Sequence, residues 1–165
     1  DSYNSGDYFN ALDFSLQDSA WKRALPLAGK DGENWPFVQE VYDNPNTSLT
    51  AQHRRLALNS FIETLGLRKD LSFFASNDRE FIKNNVEFLN TGSKQNDALI
   101  AMKVSPEKGK YKAVIIAFNN SLKAQSIEIA SKNWKQHKLD TSDSSMTPRV
   151  LTIAPLSRTV WVKDN

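Results

Sequence analysis

The sequence predicts an α+β fold in which a helical and loop-rich segment precedes an antiparallel β-sandwich. Near residue 84 the apolar spacing changes from the about 3.6-residue period of a helix to the two-residue period of strands. Beyond this point short strands follow one another, with polar turns and no helix between them, which favours an antiparallel sandwich over a parallel sheet. We therefore predict a first region at residues 1–84 and a β domain at residues 85–165.

The first region begins with DSYNSGDYFN and is broken by Gly and Pro as far as residue 47. The stretch LPLAGKDGENWP is typical of loop and turns. Aromatic residues are nevertheless concentrated here, namely Tyr3, Tyr8, Phe9, Phe14, Trp21, Trp35, Phe37 and Tyr42. Disordered tails are poor in aromatic residues, so we expect this segment to pack on something. A short helix is predicted over residues 36–43, with Pro36 in its first turn and Asn34 as its cap.

A long helix is predicted over residues 49–69, with Ser48 or Thr50 as its N-cap. Its apolar residues recur at helical spacing, and we expect them to form one buried stripe: Leu58, Phe61, Ile62 and Leu65. Gly66 in the last turn indicates either close backbone packing or an early end of the helix. One further helical turn is predicted over residues 78–83, capped by Asn77.

The β domain contains six or seven predicted strands. The segment Val114-Ile115-Ile116-Ala117 is apolar on both faces and predicts a central strand. The stretch TSDSSMTP is typical of a loop. The predicted strands lie at residues 86–89, 98–104, 111–120, 124–131, 134–139, 149–154 and 158–164.

Composition excludes several classes of function. The formal net charge is only +2, so there is no electrostatic case for a nucleic-acid partner. There is no Cys, which excludes disulfides, thiolate metal sites and Cys nucleophiles. No apolar run approaches the about 18 residues of a membrane-spanning helix. The sequence also lacks a GxGxxG motif, a Walker loop and a GxSxG elbow.

The two histidines carry no catalytic or metal-binding pattern. His53 lies beside Arg54 and Arg55 on the long helix, where we expect it to face solvent. His137 lies in the basic run KNWKQHK, which is typical of a solvated strand face. Neither has a HExxH partner or a carboxylate at metal-ligand spacing.

Aromatic rings next to polar loop residues are suited to sugars, because sugar rings pack on aromatic faces while carboxylates and amides bind hydroxyl groups. For Tyr3, Tyr8 and Phe9, beside Asp7, sugar binding and simple packing both remain open. For Phe14, Trp21 and Trp35, packing is the favoured interpretation. For the many Asp residues of the first region, solvated turn formers are favoured over a glycosidase acid pair.

The opening stretch resembles the segment that follows the eighth barrel strand of bacterial pullulanases and pullulanase-type α-1,6-glucosidases. These are starch-debranching members of the α-amylase superfamily. The resemblance is carried by two runs, DSYNSGDYFN at residues 1–10 and DFSLQDSAW at residues 13–21. Asn4 and Tyr8 depart from the family pattern, which often has Asp and Trp there. The LGLRKDLSFF and NNVEFLNTGSKQNDALIAMKV stretches resemble the last barrel helix and the first strands of the family's C-terminal domain.

The resemblance implies that residues 1–84 are the end of a (β/α)8 catalytic barrel and that residues 85–165 are an all-β C-terminal sandwich. Active sites of such barrels form at the C-terminal ends of the strands. The family's three catalytic acids lie earlier, so no residue of this chain is assigned a catalytic role. The resemblance implies a full-length parent that cleaves α-1,6-glucosidic linkages with retention through a glycosyl-enzyme intermediate. We expect the isolated chain to be inactive.

The resemblance also implies the contacts of the opening loop. Asp7, Tyr3 and Asn4 are expected to bind glucose hydroxyls of an α-glucan in the complete enzyme. The missing barrel would be the intramolecular partner of this chain, and residues 1–47 in isolation would be partly disordered or would pack on the long helix or a neighbouring molecule. No cofactor and no metal ligand is predicted, and calcium in the parent is left open. The compartment is left open as well, a secreted or cell-envelope parent being compatible with the sequence.

Two alternatives remain at this point. An isoamylase-like parent belongs to the same enzyme class. A different class is a non-catalytic β-sandwich module with a structural or glucan-binding role, favoured by a complete strand series without an acid/base pair.

Overall fold

A computed structural model describes residues 15–16, 28–47, 50–130 and 132–165. The chain divides into two compact units, Asp1–Thr64 and Leu65–Asn165. The division falls inside the longest helix. The predicted boundary between residues 84 and 85 remains a prediction about the domains of the longer protein.

In its described residues, the first unit contains two helices ahead of the long one. Helix α1 spans Ala28–Asp31, a 3₁₀ turn spans Gly32–Asn34, and α2 spans Trp35–Asp43 with Pro36 in its first turn. The helix predicted over residues 36–43 is confirmed. Residues 28–34, which were predicted as loop and turns, are helical, and residues 25–27 of that stretch lie outside the described residues. The Asn34 cap is also wrong. The 3₁₀ turn places Asn34 in a helical conformation, with φ −88° and ψ −9°, and its side chain makes no capping hydrogen bond.

Helix α3 spans Ala51–Asp70 and begins at a side-chain cap. The Oγ1 atom of Thr50 accepts a hydrogen bond from the His53 backbone N–H at 3.2 Å. In return the Nδ1 atom of His53 accepts a hydrogen bond from the Thr50 backbone N–H at 3.4 Å. Thr50 is therefore the cap, and exposed His53 completes a reciprocal capping pair.

The apolar stripe of α3 is not buried. Its members share a face of the helix as the spacing predicts, but each side chain is close to half exposed or more: Leu58 43%, Phe61 62%, Ile62 56% and Leu65 49%. Periodicity determines which residues lie together on a helix, whereas burial also requires a partner surface. The predicted burial is therefore wrong for this chain.

Gly66 marks close packing and not an early end of the helix. The helix continues to Asp70, and a Cβ atom at Gly66 would lie 3.1 Å from Cδ1 of Leu139.

After a 3₁₀ turn at Ser72–Ala75, helix α4 spans Arg79–Asn85. Its cap is Asp78, whose carboxylate accepts hydrogen bonds from the N–H groups of Glu80 and Phe81. The predicted Asn77 cap is one residue too early.

Eight strands in the second unit form two antiparallel sheets. The order in the five-stranded sheet is β1-β2-β3-β8-β5, and the order in the three-stranded sheet is β4-β7-β6. The predicted antiparallel sandwich is confirmed, and so is the central strand, because β3 lies between β2 and β8. The strands are β1 Val86–Phe88, β2 Leu99–Val104, β3 Tyr111–Asn119, β4 Gln125–Glu128, β5 Lys135–Gln136, β6 Ser145–Met146, β7 Val150–Ile153 and β8 Ser157–Asp164.

Strand β6 lies within the stretch that was predicted as a loop. Its two residues pair with β7, Ser145 with Thr152 and Met146 with Leu151. Two residues are too few for alternation to be visible in the sequence. The ladder with β7 is what makes this stretch a strand.

The core lies between the two inner sheet faces. Its members alternate along the strands and come from both sheets: Leu99, Ala101, Ile115, Ala117, Ile127, Ile129, Leu151, Ile153 and Trp161. A second cluster covers part of the outer face of the five-stranded sheet. There Leu67 and Leu71 pack on Val114, Ile116 and Val160. The last turn of α3 is thus attached to the sheet by apolar burial.

Candidate functional site

The predicted substrate-binding residues Tyr3, Asn4 and Asp7 lie outside the residues that the structure describes. Their contact with a glucan therefore remains a prediction. The described residues do contain clusters of ionisable side chains, and these show what chemistry the second unit can support.

The most prominent cluster joins the end of α3 to the β domain. The Nε2 atom of His137 lies 2.7 Å from Oδ2 of Asp70. The Tyr111 hydroxyl donates a hydrogen bond to the same oxygen at 3.3 Å, and Nζ of Lys110 lies 3.8 Å from it. The His137 ring packs edge-on against Tyr111, with a centroid distance of 5.8 Å.

His137 is buried, with 1% of its surface exposed, so the predicted solvated strand face is wrong at this position. Its Nδ1 atom accepts a hydrogen bond from the Leu139 N–H at 3.2 Å. An acceptor nitrogen carries no proton, so the proton of the neutral ring lies on Nε2 and is donated to Asp70. Both ring nitrogens are therefore engaged inside the protein.

The hydrogen bond from His137 lowers the pKa of Asp70 below its usual value. Partial burial of the carboxyl group opposes this effect, and the positive charges of Lys110 and Lys138 reinforce it. Asp70 is therefore a stable carboxylate. A general base needs a free acceptor within reach of substrate, and a buried His137 with two occupied nitrogens does not provide one. The cluster fixes the last turn of α3 on the sheet.

A second buried carboxylate, Asp140, is equally occupied. Its Oδ2 atom accepts hydrogen bonds from the Thr159 hydroxyl and the Val160 N–H, both at 2.7 Å. Its Oδ1 atom accepts the Ser142 N–H at 3.1 Å. The indole N–H of Trp161 donates to the Thr159 hydroxyl at 2.9 Å, which extends the network to the core. A carboxylate with this many donors is a structural anchor.

Asn119 performs a similar structural role between the sheets. Its buried Nδ2 atom lies within 3.2 Å of the carbonyl oxygens of Lys123, Ile153 and Ala154. Its Oδ1 atom accepts the Ser121 N–H and hydroxyl. The amide therefore links the end of β3 to the end of β7.

The sequence did not reveal these pairings. Asp70 and His137 are separated by 67 residues, and the basic residues around His137 favoured a solvated interpretation. Only the folding of the sheet over the end of α3 brings the two side chains together. Asp140 follows Lys138-Leu139 without any motif around it, and no local signal predicted its burial.

Two further observations limit the chemistry of the described part. Across residues 28–47, 50–130 and 132–165 there is no group of three or more His, Cys, Asp or Glu side chains that could hold a metal ion. None of the helices in these ranges has the length and apolar character of a membrane span.

Solved structures show the same fold. The crystal structure of PulA from Klebsiella oxytoca matches 100% of this chain and 17% of that chain, with a TM-score of 0.81 and 23% identity. The maltotriose complex of PulA from Klebsiella pneumoniae matches 100% of this chain and 20% of the PulA chain, with a TM-score of 0.81 and 22% identity. These similarities establish the fold.

Curated relatives share more of the sequence over a shorter stretch. "Pullulanase 1, chloroplastic" of Arabidopsis thaliana is 35% identical over 104 residues, which is 63% of this chain and 11% of that protein. The pullulanase of Klebsiella aerogenes is 33% identical over 104 residues, or 63% of this chain and 9% of that protein. The matched stretch thus covers about a tenth of the length of these relatives.

One family pattern matches almost the whole chain. It is described as "Alpha-1,6-glucosidases, pullulanase-type, C-terminal" and it matches residues 16–163. The match includes α3 and every strand of both sheets, so it covers the described fold and not one motif. The chain therefore belongs to the family of C-terminal regions of pullulanase-type α-1,6-glucosidases.

Proposed function

We propose that this chain is the C-terminal, non-catalytic part of a starch-debranching glycoside hydrolase that cleaves α-1,6-glucosidic linkages in pullulan, starch or glycogen. The observation that carries the proposal is the family match over residues 16–163. The names of the curated relatives agree with it. The catalytic acids would belong to a barrel in the longer protein, which would be the intramolecular partner of this chain.

The chemistry of a retaining glycosidase explains why this chain alone would be inactive. Such enzymes need two carboxyl groups about 5–5.5 Å apart, one as nucleophile and one as acid/base. Asp70 and Asp140 are each held by their own hydrogen-bond donors in the β domain. Neither is available to attack an anomeric carbon or to protonate a leaving oxygen. These two carboxylates therefore support a structural role.

The exposed stripe of α3 supports the existence of a covering partner. Four large apolar side chains at helical spacing are an unusual composition for a helix face that stays in water. Burial of such a face against another surface would be favourable. In a complete (β/α)8 enzyme the last helix packs against its neighbours in the outer ring. The stripe is the face that such packing would use.

Tyr3, Asn4 and Asp7 are proposed to line the glucan cleft of the complete enzyme. A carboxylate accepts hydrogen bonds from sugar hydroxyls, and tyrosine provides both an apolar face and a hydroxyl. Asp7 is the residue on which we expect binding to depend most, because a hydrogen bond to a charged group is stronger than one between neutral groups.

Asp7→Ala in the full-length protein tests both the function and the site. We expect kcat/KM on pullulan to fall by about ten-fold to a hundred-fold, the range of about 1.5–3 kcal/mol for a charged hydrogen bond. Glu128→Ala, at an exposed position of β4, is the matched control and should leave kcat/KM unchanged. An Asp7→Ala enzyme with unaltered kcat/KM would remove Asp7 from the site. An unmodified full-length protein without activity on pullulan would overturn the proposed function.

A further inference from the structure

The two outer faces of the sandwich differ in chemistry. On the three-stranded sheet the outer face is polar, with Ser126 paired to Thr152, Thr152 paired to Ser145, and Glu128 at the edge. The hydroxyls of Ser126 and Thr152 form a hydrogen bond with each other at 2.9 Å in an exposed position. This is the usual composition of a sheet face in water.

On the five-stranded sheet the outer face is mainly apolar. The strand register forms three rows on this face: Val86, Val104, Val114, Val162 and Lys135; Phe88, Met102, Ile116 and Val160; and Ile100, Phe118 and Arg158. The two charged residues, Arg158 and Lys135, lie on the strands β8 and β5. Leu67, Leu71 and Phe74, from the last turn of α3 and the 3₁₀ turn after it, pack in one cluster with residues of the first two rows, namely Val114, Val162, Ile116 and Val160. Among the described residues, this cluster does not extend to Phe88, Ile100 or Phe118.

The uncovered end forms one continuous patch. Ile100 pairs directly with Phe118, and Phe88 pairs with Met102, two residues along the same strand from Ile100. Neighbours of this kind lie within contact of each other on one face. Their exposed fractions are 58% for Phe88, 60% for Ile100 and 45% for Phe118. We call these three residues the sheet patch.

We infer that the sheet patch is the docking surface for the preceding domain of the same longer polypeptide, an inference that rests on the proposed function. The patch adjoins the part of the outer sheet face on which the end of α3 already packs. The preceding domain and the end of α3 would therefore pack on the same side of the sheet. Curated relatives have about ten times the matched length, so a preceding domain is the partner that the family provides.

The size of the patch favours a covalently linked partner over a second copy. Three side chains, each about half exposed, present roughly 300 Å². A stable interface between separate molecules needs about 800 Å² on each partner. A linked domain meets the patch at an effective concentration in the millimolar range, so a small apolar contact is sufficient.

Hydroxyl-radical footprinting of the full-length protein tests the inference. Side-chain oxidation rates of Phe88 and Phe118 are measured relative to the same protein unfolded in urea. Docking predicts strong protection of both side chains, far beyond what half exposure allows. Equal rates for the patch and for a freely exposed side chain would overturn the inference, and this comparison needs no variant.

Matched variants provide the second test. Ile100→Lys adds a charge inside the sheet patch, and Ser126→Lys adds the same charge on the polar outer face. In the full-length protein, Ile100→Lys should raise the oxidation rates of Phe88 and Phe118 several-fold and accelerate proteolytic release of the β domain. Ser126→Lys should change neither. Identical behaviour of the two variants would contradict docking at the patch.

Two other occupants would be recognised in the same experiment. A second copy of the chain would make the protection increase with protein concentration. Sedimentation would then show a dimer that Ile100→Lys abolishes, and this result would overturn the inference. Protection that appears only with added maltoheptaose would identify a glucan-binding surface and would also overturn the inference.

Each preparation is also assayed on pullulan. Activity of the full-length protein without patch protection refutes the docking surface alone, whereas patch protection without activity refutes the proposed function alone.

Discussion

At the scale of single residues, the pairing of His137 with Asp70 holds the last turn of α3 on the sheet. A buried histidine that donates from Nε2 and accepts at Nδ1 has one orientation, and this orientation holds the carboxylate at 2.7 Å. Removing either partner leaves a polar group without its hydrogen bond, which costs more than the bond itself contributes. Because one partner is an ionised carboxylate, the contribution of this pairing to the free energy of unfolding depends on pH.

Asp70→Asn should lower the free energy of unfolding by about 1 kcal/mol at neutral pH. The amide oxygen can still accept the Nε2–H of His137, but the charge is lost. The folded pKa of Asp70 is lowered from 3.8, so the carboxylate stabilises the fold above the unfolded pKa. This contribution disappears as pH falls through the folded pKa. Urea denaturation at neutral and acidic pH should show a difference from wild type that shrinks with acidity.

His137→Leu provides the comparison. It leaves the Leu139 N–H without its acceptor and removes the nearest donor of Asp70, which keeps the hydrogen bond from Tyr111. The loss at neutral pH should therefore reach about 2–3 kcal/mol and exceed that of Asp70→Asn. If the Asp70→Asn difference is the same at every pH, the charge of Asp70 has no part in the stability of the fold.

At the scale of elements, the last turn of α3 is shaped to approach the β domain closely. Gly66 faces Leu139, which follows His137 by two residues, so the hydrogen-bonded pair and the close contact lie side by side. A glycine inside a helix has a cost of about 1 kcal/mol relative to alanine. Here the small residue allows the helix to pack where a larger one would collide with Leu139.

Gly66→Ala and Gly66→Val should separate these two effects. For Ala the propensity gain of about 1 kcal/mol is offset by the 3.1 Å contact, and we expect a net change within about 0.5 kcal/mol. The flexible end of Leu139 can move by the few tenths of an ångström required. Val adds branched bulk in the same place and should destabilise by about 1–3 kcal/mol. Chemical denaturation measures both, and a Val variant as stable as wild type would show that Leu139 does not restrict this position.

At the scale of the whole molecule, the chain combines a well-satisfied β interior with apolar surfaces that remain exposed. Asn119, Asp140 and His137 each occupy their hydrogen-bonding groups inside the fold. Outside it, the α3 stripe and the sheet patch stay in contact with solvent. This combination is typical of a domain that folds around its own core and packs against a further domain.

The isolated chain should therefore neither cleave nor bind glucan. We expect no reducing ends from pullulan and no heat when maltooligosaccharides are titrated to millimolar concentration. The full-length protein, assayed in parallel, is the positive control. Measurable heat at millimolar ligand would support the alternative of a glucan-binding module, and reducing ends would contradict the assignment of catalysis to the longer protein.

The local sequence pattern was sufficient to predict those features that depend on the geometry of a single helix or strand. The change of period near residue 84 predicted the sandwich, and the apolar run at residues 114–117 predicted the central strand. Thr50 was one of the two caps that the sequence predicted for α3. The Asp78 cap and the Asn34 conformation were missed because a shift of one residue or a preceding 3₁₀ turn changes which side chain meets the free N–H groups.

The sequence by itself determined the family, the order of the long helix and the main strands, and the spacing of the α3 stripe. Only the tertiary structure decided what is buried. It placed His137 against Asp70 from 67 residues away, and it left Phe61 and Ile62 in solvent despite their helical spacing. The physical reason is that periodicity is a property of one element, whereas burial and hydrogen-bond pairing are properties of two surfaces that meet.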